Sequence, residues 1–244
     1  MHLGIDFAIH TREKFNMKIL TKIISGNNGN KQTKTRLHDE KGNFAAWKTI
    51  VLHGPPAVVT GLFRIFFDYR PVLPWIAYTS INKLQKHLTK TSRVLEFGSG
   101  MSTLWYANQA GQVFSVESYS VWYDKVKKII EDKKLDNVSY KLSMSDSEYV
   151  TFMSDDKEGF DLIMIDGECR SQCVSHAIQR LKPGGVLYLD NSDRCFGAKG
   201  SDMRIAESLV RQFAQTSGAK VIEVTDFAPT QLFVQQGLWM ELPK

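Results

Sequence analysis

The chain has 244 residues, of which 43% are hydrophobic and 23% charged, as is typical of a globular, soluble protein with one α/β domain and an appendage. Residues 1–48 hold nine Lys and Arg against four Asp and Glu, which accounts for the whole formal charge of +5. A nucleic-acid-binding domain should carry its positive surplus on the folded body, so nucleic acid is a poor partner for this chain. Attraction of the basic leader to an anionic surface stays open.

The three cysteines indicate a reducing compartment. Cys169, Cys173 and Cys195 are too few for a disulfide framework in a chain of this length, and no Cys/His pattern of a zinc site accompanies them. The chain also opens without the charged and apolar regions of a secretory signal. We therefore expect a cytoplasmic protein.

The first 92 residues divide into two segments. Residues 1–48 form a basic, partly flexible leader with a short helix at 13–24. Residues 49–92 form an apolar, helical segment that packs on the domain or caps its site. Within it, Gly, Pro and Arg interrupt the apolar run 49–67, so we expect a core-packed or interface segment there rather than a transmembrane span. Peripheral contact with a membrane stays open, and the apolar spacing over 75–88 predicts a helix.

From residue 93 to residue 244, apolar strands alternate with helices. This alternation predicts an α/β fold with a doubly wound, mostly parallel sheet of seven strands and helices on both faces. The seventh strand follows the sixth with no room for a crossover helix, so one antiparallel strand should lie near the C-terminus. The predicted strands are 93–97, 112–117, 137–142, 160–165, 186–189, 220–225 and 232–235. The predicted helices are 102–110, 119–133, 145–153, 171–181 and 202–216.

A glycine turn follows the first of these strands. Gly98, Ser99 and Gly100 connect strand 93–97 to the next helix, and such a turn presents backbone N–H groups to a ligand. The third glycine of a dinucleotide fingerprint is replaced by Thr103, which disfavours a nicotinamide cofactor.

Acidic side chains close four of the first five strands. They are Glu96, Glu117, Asp166 and Asp190, and the carboxyl ends of parallel strands meet at one edge of a sheet. Any one of them could be only a helix cap. Together they indicate a binding edge, where Glu117 is suited to accept hydrogen bonds from two ribose hydroxyls.

Over about residues 75–235 the chain resembles the class I S-adenosylmethionine-dependent methyltransferases. The resemblance lies in Glu96-Phe-Gly-Ser-Gly100, Val116-Glu117, 160–167 and 181–191. It implies a Rossmann-like fold with S-adenosylmethionine as cofactor, Glu117 on its ribose and Ser145 or Asp146 near its adenine. The candidate cofactor-binding residues are Glu96, Gly98, Ser99, Gly100, Ser102, Thr103, Glu117, Ser118, Ser145, Asp146 and Asp166.

A finer resemblance is to the metal-dependent O-methyltransferases of the catechol and caffeoyl-CoA type. Their metal ligands correspond to Asp166, Asp190 and Asn191, which suit Mg²⁺. The Lys that those enzymes place near the reacting oxygen is replaced by Cys169, with Arg170 beside it. Asp166, Arg170 and Asp190 are the candidate catalytic residues. Without a metal, Asp166 would contact the cofactor's amino group or the substrate, and Arg170 could bind a substrate carboxylate or phosphate.

The loop 192–201 after the fifth strand is the expected substrate loop, with Asp193 and Arg194 as candidate substrate contacts. The predicted function is methyl transfer from S-adenosylmethionine to an oxygen of a small molecule or glycan precursor. Two alternatives stay open: aminopropyl transfer on the same fold, and a non-catalytic binding module. Fold alone does not choose between them.

Overall fold

The structure, a computed structural model, describes residues 35–244. They form a seven-stranded sheet in the order β3-β2-β1-β4-β5-β7-β6. All neighbouring strands up to β5 are parallel, and β7 is antiparallel to both β5 and β6. The strands are β1 (Arg93–Phe97), β2 (Gln112–Glu117), β3 (Val138–Leu142), β4 (Phe160–Ile165), β5 (Leu181–Leu189), β6 (Lys220–Phe227) and β7 (Val234–Glu241). The predicted Rossmann-like fold is confirmed.

Helices cover both faces of the sheet. Alternate residues of each strand point to opposite faces, so the core has two layers. Leu95 and Phe97 face α6 and α7, while Val94 faces α2 and α3. The helices are α1 (Trp47–Phe67), α2 (Tyr78–His87), α3 (Met101–Gln109), α4 (Ser120–Asp132), α5 (Asp146–Val150), α6 (Arg170–Ala177) and α7 (Asp202–Ser217), and one turn of 3₁₀ helix, Ile178–Arg180, follows α6.

Two element predictions need correction. The Pro183-Gly184-Gly185 stretch was expected to separate a helix from strand 186–189, but β5 already begins at Leu181 and contains it. The last strand lies at Val234–Glu241 and not at 232–235, because its residues pair with β6 along the full length of that strand.

The predicted leader, 1–48, is only partly open to description. The helix at 13–24 lies outside the described residues. Residues 35–46 pack on the domain: Ala45 and Asp39 are fully buried, and the Asp39 carboxylate accepts a hydrogen bond from Thr225 of β6 at 2.7 Å. This part of the leader therefore belongs to the folded body.

The apolar run 49–67 lies in a continuous helix, α1, which is largely exposed and is therefore not a core helix; the alternative expectation, an interface segment, stays a prediction. Only Ala57 and Gly61 are buried in it. Pro55 and Pro56 remove two helical hydrogen bonds, but they lie on the solvent side, where the freed carbonyls can bind water. Among residues 35–244, α1 is the one helix that is long and apolar enough to cross a membrane.

Candidate active site at the carboxyl edge of the sheet

A cavity of about 240 Å³ lies where the strand order reverses, between the carboxyl ends of β1 and β4. Open α/β sheets bind ligands at this switch point. Hydrogen bonds from Gly98 N to Val116 O and from Asp166 N to Phe97 O extend the ladders into the loops that form its floor. The lining residues are Leu73, Trp75, Ser99, Gly100, Met101, Ser102, Trp122 and Asp166.

The turn after β1 fits tightly against the loop after β4. Gly98 has φ +90°, and a Cβ there would lie 2.7 Å from Gly167 N and Cα. A Cβ on Gly167 would in turn overlap the Tyr149 hydroxyl. Only glycine meets both the positive φ and the close approach at Gly98. The two glycines thus bring the Ser99 backbone and the Asp166 side chain to one cavity.

Glu96 supports the turn from below. Its side chain is fully buried and accepts hydrogen bonds from the hydroxyls of Ser102 (2.5 Å), Thr103 (2.6 Å) and Ser115 (2.7 Å). Burial raises the pKa of Glu96 to about 7, against the lowering effect of these hydroxyls. Neither Glu96 nor the fully buried Thr103 lines the cavity, so both position the start of α3.

The Glu117 carboxylate lies at the end of β2 and accepts four hydrogen bonds. Ser99 donates its N–H at 3.1 Å and its hydroxyl at 2.7 Å, while the Ser118 and Tyr119 N–H groups donate at 2.9 Å each. The Ser99 hydroxyl also lies 2.6 Å from the Tyr140 hydroxyl. Glu117 therefore fixes the turn, and the Ser99 hydroxyl is the one side-chain donor in this set.

Two tryptophans form the apolar wall of the cavity. Trp122 donates its indole N–H to Ser99 O at 2.8 Å. The Trp75 indole N–H is buried and has no hydrogen-bond partner among the described residues. The Arg64 and Arg70 guanidinium groups lie 4.7 and 5.7 Å from the Trp75 ring centre.

Sequence reasoning missed Leu73 and Trp75 as lining residues. Pro71 and Pro74 lie in the same stretch of sequence, and they indicate only a turn there. This turn places both side chains at the carboxyl edge of the sheet. It does so because the helix that follows it, α2, packs on the face of the sheet that carries Val94 of β1.

Asp166, Arg170 and Asp190 come together beside the cavity. The Asp166 side chain is 38% exposed and lies 3.2 Å from Arg170 Nη2, and Arg170 Nη1 donates to Asp190 O. Arg170 Nε also donates to Gly167 O at 2.9 Å, so its guanidinium joins three points of these loops. Burial, and then the charge of Asp166, raise the pKa of Asp190 well above its ordinary value.

The predicted metal ligands Asp166, Asp190 and Asn191 lie at the same strand edge, but the charge there is already balanced in part. Arg170 supplies a cation to Asp166, and residues 35–244 contain no group of three or more His, Cys, Asp or Glu that could hold a metal. A Mg²⁺ site needs oxygen ligands that no guanidinium occupies. The Arg170 guanidinium would therefore compete with a Mg²⁺ ion for the Asp166 carboxylate.

The other predicted site residues lie outside the cavity lining. Ser145 and Asp146 are exposed at the start of α5, and Arg194 is exposed on the loop after β5. Asp193, predicted to contact substrate, is buried: its carboxylate accepts hydrogen bonds from the N–H groups of Glu40 and Gln236. Its role is corrected to tying residues 35–46 to β7.

Comparison with known proteins agrees with this geometry. Residues 95–192, which include the glycine turn, Glu117 and the Asp166 loop, match a family model described as a methyltransferase domain. This part of the chain is similar to methyltransferase domains. No match was found among curated proteins.

Solved structures share the fold of this chain. An O-methyltransferase from Bacillus cereus, in complex with SAH, is 18% identical with a TM-score of 0.56, and the match covers 77% of this chain and 98% of that one. The O-methyltransferase TomG from Streptomyces achromogenes, in complex with SAM, is 12% identical with a TM-score of 0.57 (78% and 90% covered). An rRNA methylase from Streptococcus thermophilus is 14% identical with a TM-score of 0.50 (72% and 98% covered).

Proposed function

We propose that this domain binds S-adenosylmethionine in the cavity between β1 and β4 and transfers its methyl group to an oxygen of a small molecule. The observation that carries this proposal is the convergence of the Ser99-Gly100 backbone and Asp166 in the cavity at the switch point, with Glu117 of the neighbouring strand bound to Ser99.

The chain offers suitable partners to the methyl donor. When bound, S-adenosylmethionine supplies an electrophilic methyl group on a sulfonium. Glu117 would accept hydrogen bonds from the ribose hydroxyls once the Ser99 hydroxyl turns away toward Tyr140, which lies 2.6 Å from it. Trp122 would pack against the nucleoside, and the turn at Ser99 and Gly100 would hold the methionine end.

Asp166 is the carboxylate that lines the cavity, and we assign it the role of proton acceptor. The acceptor oxygen forms a bond to the methyl carbon as the sulfur–carbon bond breaks, and the hydroxyl proton passes to Asp166. Arg170, 3.2 Å from Asp166, holds this carboxylate in position. Because Arg170 supplies the positive charge here, the proposed reaction uses no metal.

A small acceptor is favoured over nucleic acid because residues 49–244 carry no net charge. Aminopropyl transfer needs acids that hold a polyamine. Asp156 does not serve, since its carboxylate binds Arg93 at 2.8 and 2.9 Å at the opposite, amino end of β1. This leaves methyl transfer as the function that the site supports best.

The test is turnover by Asp166→Asn with labelled S-adenosylmethionine and a panel of phenols and sugars. We expect kcat to fall by at least ~100-fold, the usual worth of a positioned base, while the affinity for S-adenosylhomocysteine stays within about threefold. Glu168→Gln is the matched control, because Glu168 is exposed on the same loop and does not line the cavity. An Asp166→Asn variant that loses cofactor affinity would instead assign Asp166 to the cofactor's amino group.

A further inference from the structure

The outward half of α1 is an uncovered apolar surface. Ten apolar side chains on this helix are at least 37% exposed, and they form what we call the outer face of α1: Trp47, Val51, Leu52, Val58, Val59, Leu62, Phe63, Ile65, Phe66 and Phe67. Single exposed apolar residues are ordinary, but a contiguous patch marks a surface that contacts a membrane or another protein. Phe66 and Phe67, at 63% and 73% exposure, are among the most exposed side chains of the helix.

The inward half of α1 is fixed to the domain by polar contacts. His53 Nδ1 lies 2.7 Å from the buried Asp226 carboxylate of β6, and Thr230 N donates to the Thr60 hydroxyl at 2.9 Å. A Cβ on Gly61 would lie 2.7 Å from the Leu232 side chain, so the helix also sits close to the body. A helix that crossed a bilayer would lose these partners and place His53 and Thr60 in hydrocarbon. The structure therefore favours a helix that lies along a surface.

The charges on α1 are of one sign. Lys48 and Arg64 are its charged residues, and it contains no Asp or Glu. Residues 1–46, which precede it, carry a positive surplus of four. A second copy packed face to face would bring two such segments together, where like charges repel. An anionic lipid surface has the complementary charge, since basic residues near a membrane each add about 1 kcal/mol of attraction.

We propose that the outer face of α1 docks in the plane of an anionic lipid bilayer. The apolar side chains enter the boundary between headgroups and acyl chains, as in other interfacial helices. The inward half of α1 keeps its contacts with the domain. Trp47 at one end and Phe66 and Phe67 at the other are aromatic anchors of the kind found at membrane interfaces. This docking does not depend on the proposed methyl transfer.

Vesicle flotation of the full chain tests the proposal. We expect binding to phosphatidylcholine vesicles that contain about 30% phosphatidylglycerol, weaker binding to pure phosphatidylcholine, and loss of binding in about 0.5 M salt. Val59→Ser/Phe66→Ser should weaken binding at least ~10-fold, since affinity follows buried apolar area. The control Val121→Ser/Ile205→Ser also replaces two exposed apolar residues, on α4 and α7, and should bind as wild type does. Thermal unfolding confirms that both variants are folded.

Three results would overturn the proposal. The first is wild-type protein that does not bind anionic vesicles, or vesicle binding that both double variants weaken equally. The second is a dimer in light scattering that Val59→Ser/Phe66→Ser dissociates, without vesicle binding, which would make a second copy the occupant. The third is cellular protein that resists extraction from membranes by alkaline carbonate, which would mean that α1 spans the bilayer.

Discussion

Replacement of Glu96 by Gln should change how the stability of this protein depends on pH. Glu96 is fully buried beneath the glycine turn, and its pKa is raised from 4.5 to about 7, first by burial. Below about pH 4.5 the carboxyl is protonated in both the folded and unfolded states. Between about pH 4.5 and 7 the folded state keeps a proton that the unfolded state releases, so the free energy of unfolding falls as pH rises.

The size of the effect follows from the two pKa values. One pKa unit corresponds to 1.36 kcal/mol, so ionised Glu96 lowers the stability of the fold by about 3 kcal/mol above pH 7, relative to pH 4. Gln has the same shape and does not titrate. Its hydrogen bonds to Ser102, Thr103 and Ser115 differ from those of Glu96, but by an amount that does not vary with pH.

Urea unfolding of wild type and Glu96→Gln at half-unit steps from about pH 4.5 to 7.5 measures this difference. The free energy of unfolding of the variant minus that of wild type should rise by about 3 kcal/mol as pH increases across this range. Glu148→Gln serves as the control, because the Glu148 side chain is 64% exposed and keeps its water. Profiles for Glu96→Gln and wild type that stay parallel would refute the account of a buried, desolvated carboxyl.

Three further predictions concern the loops that meet at the cavity. Gly98→Ala should lower stability by about 2–4 kcal/mol, because it combines a positive φ with a 2.7 Å clash on Gly167. The control Gly100→Ala, where the nearest atom is 3.7 Å away, should cost less than about 1 kcal/mol in the same urea titration. Equal losses of stability in the two variants would contradict the close-approach argument. Arg170→Ala should lower stability by about 2–3 kcal/mol, because it leaves buried carbonyls without donors and Asp166 without its cation. Mg²⁺ should leave the thermal midpoint of wild type unchanged, and a rise on adding Mg²⁺ would contradict the assignment of Arg170 as the cation of this site.

The sequence predicted the sheet well because its signals are local. Buried parallel strands are continuous apolar runs, and the residues that close them must meet at one edge once the strands are parallel. This is why Glu96, Glu117, Asp166 and Asp190 could be grouped before the fold was known. The antiparallel direction of the last strand followed from the short connection between the last two strands alone.

Features that depend on distant parts of the chain could not be predicted. Trp75 lines the cavity only because α2 packs behind β1, and the apolar composition of α1 is the same whether it is buried or exposed. Asp193 looked like a substrate contact because it lies on the expected loop, yet its partners, Glu40 and Gln236, are more than 40 residues away in sequence. Cys169 was recognised as the departure from the metal-dependent pattern, with Arg170 beside it, but the contact of Arg170 with Asp166 required the structure.

The central claim is that Glu117 and the glycine turn hold a methyl donor at the switch point. Calorimetric titration with S-adenosylhomocysteine tests it most directly, with wild type, Glu117→Gln and the control Glu148→Gln. Gln keeps the size of the side chain but removes the charge that attracts two ribose hydroxyls. We predict micromolar affinity, on the order of −8 kcal/mol, for wild type and the control, no change with EDTA, and at least ~10-fold weaker binding by Glu117→Gln. Folded wild-type protein that does not bind, or binding unaffected by Glu117→Gln, would contradict the account.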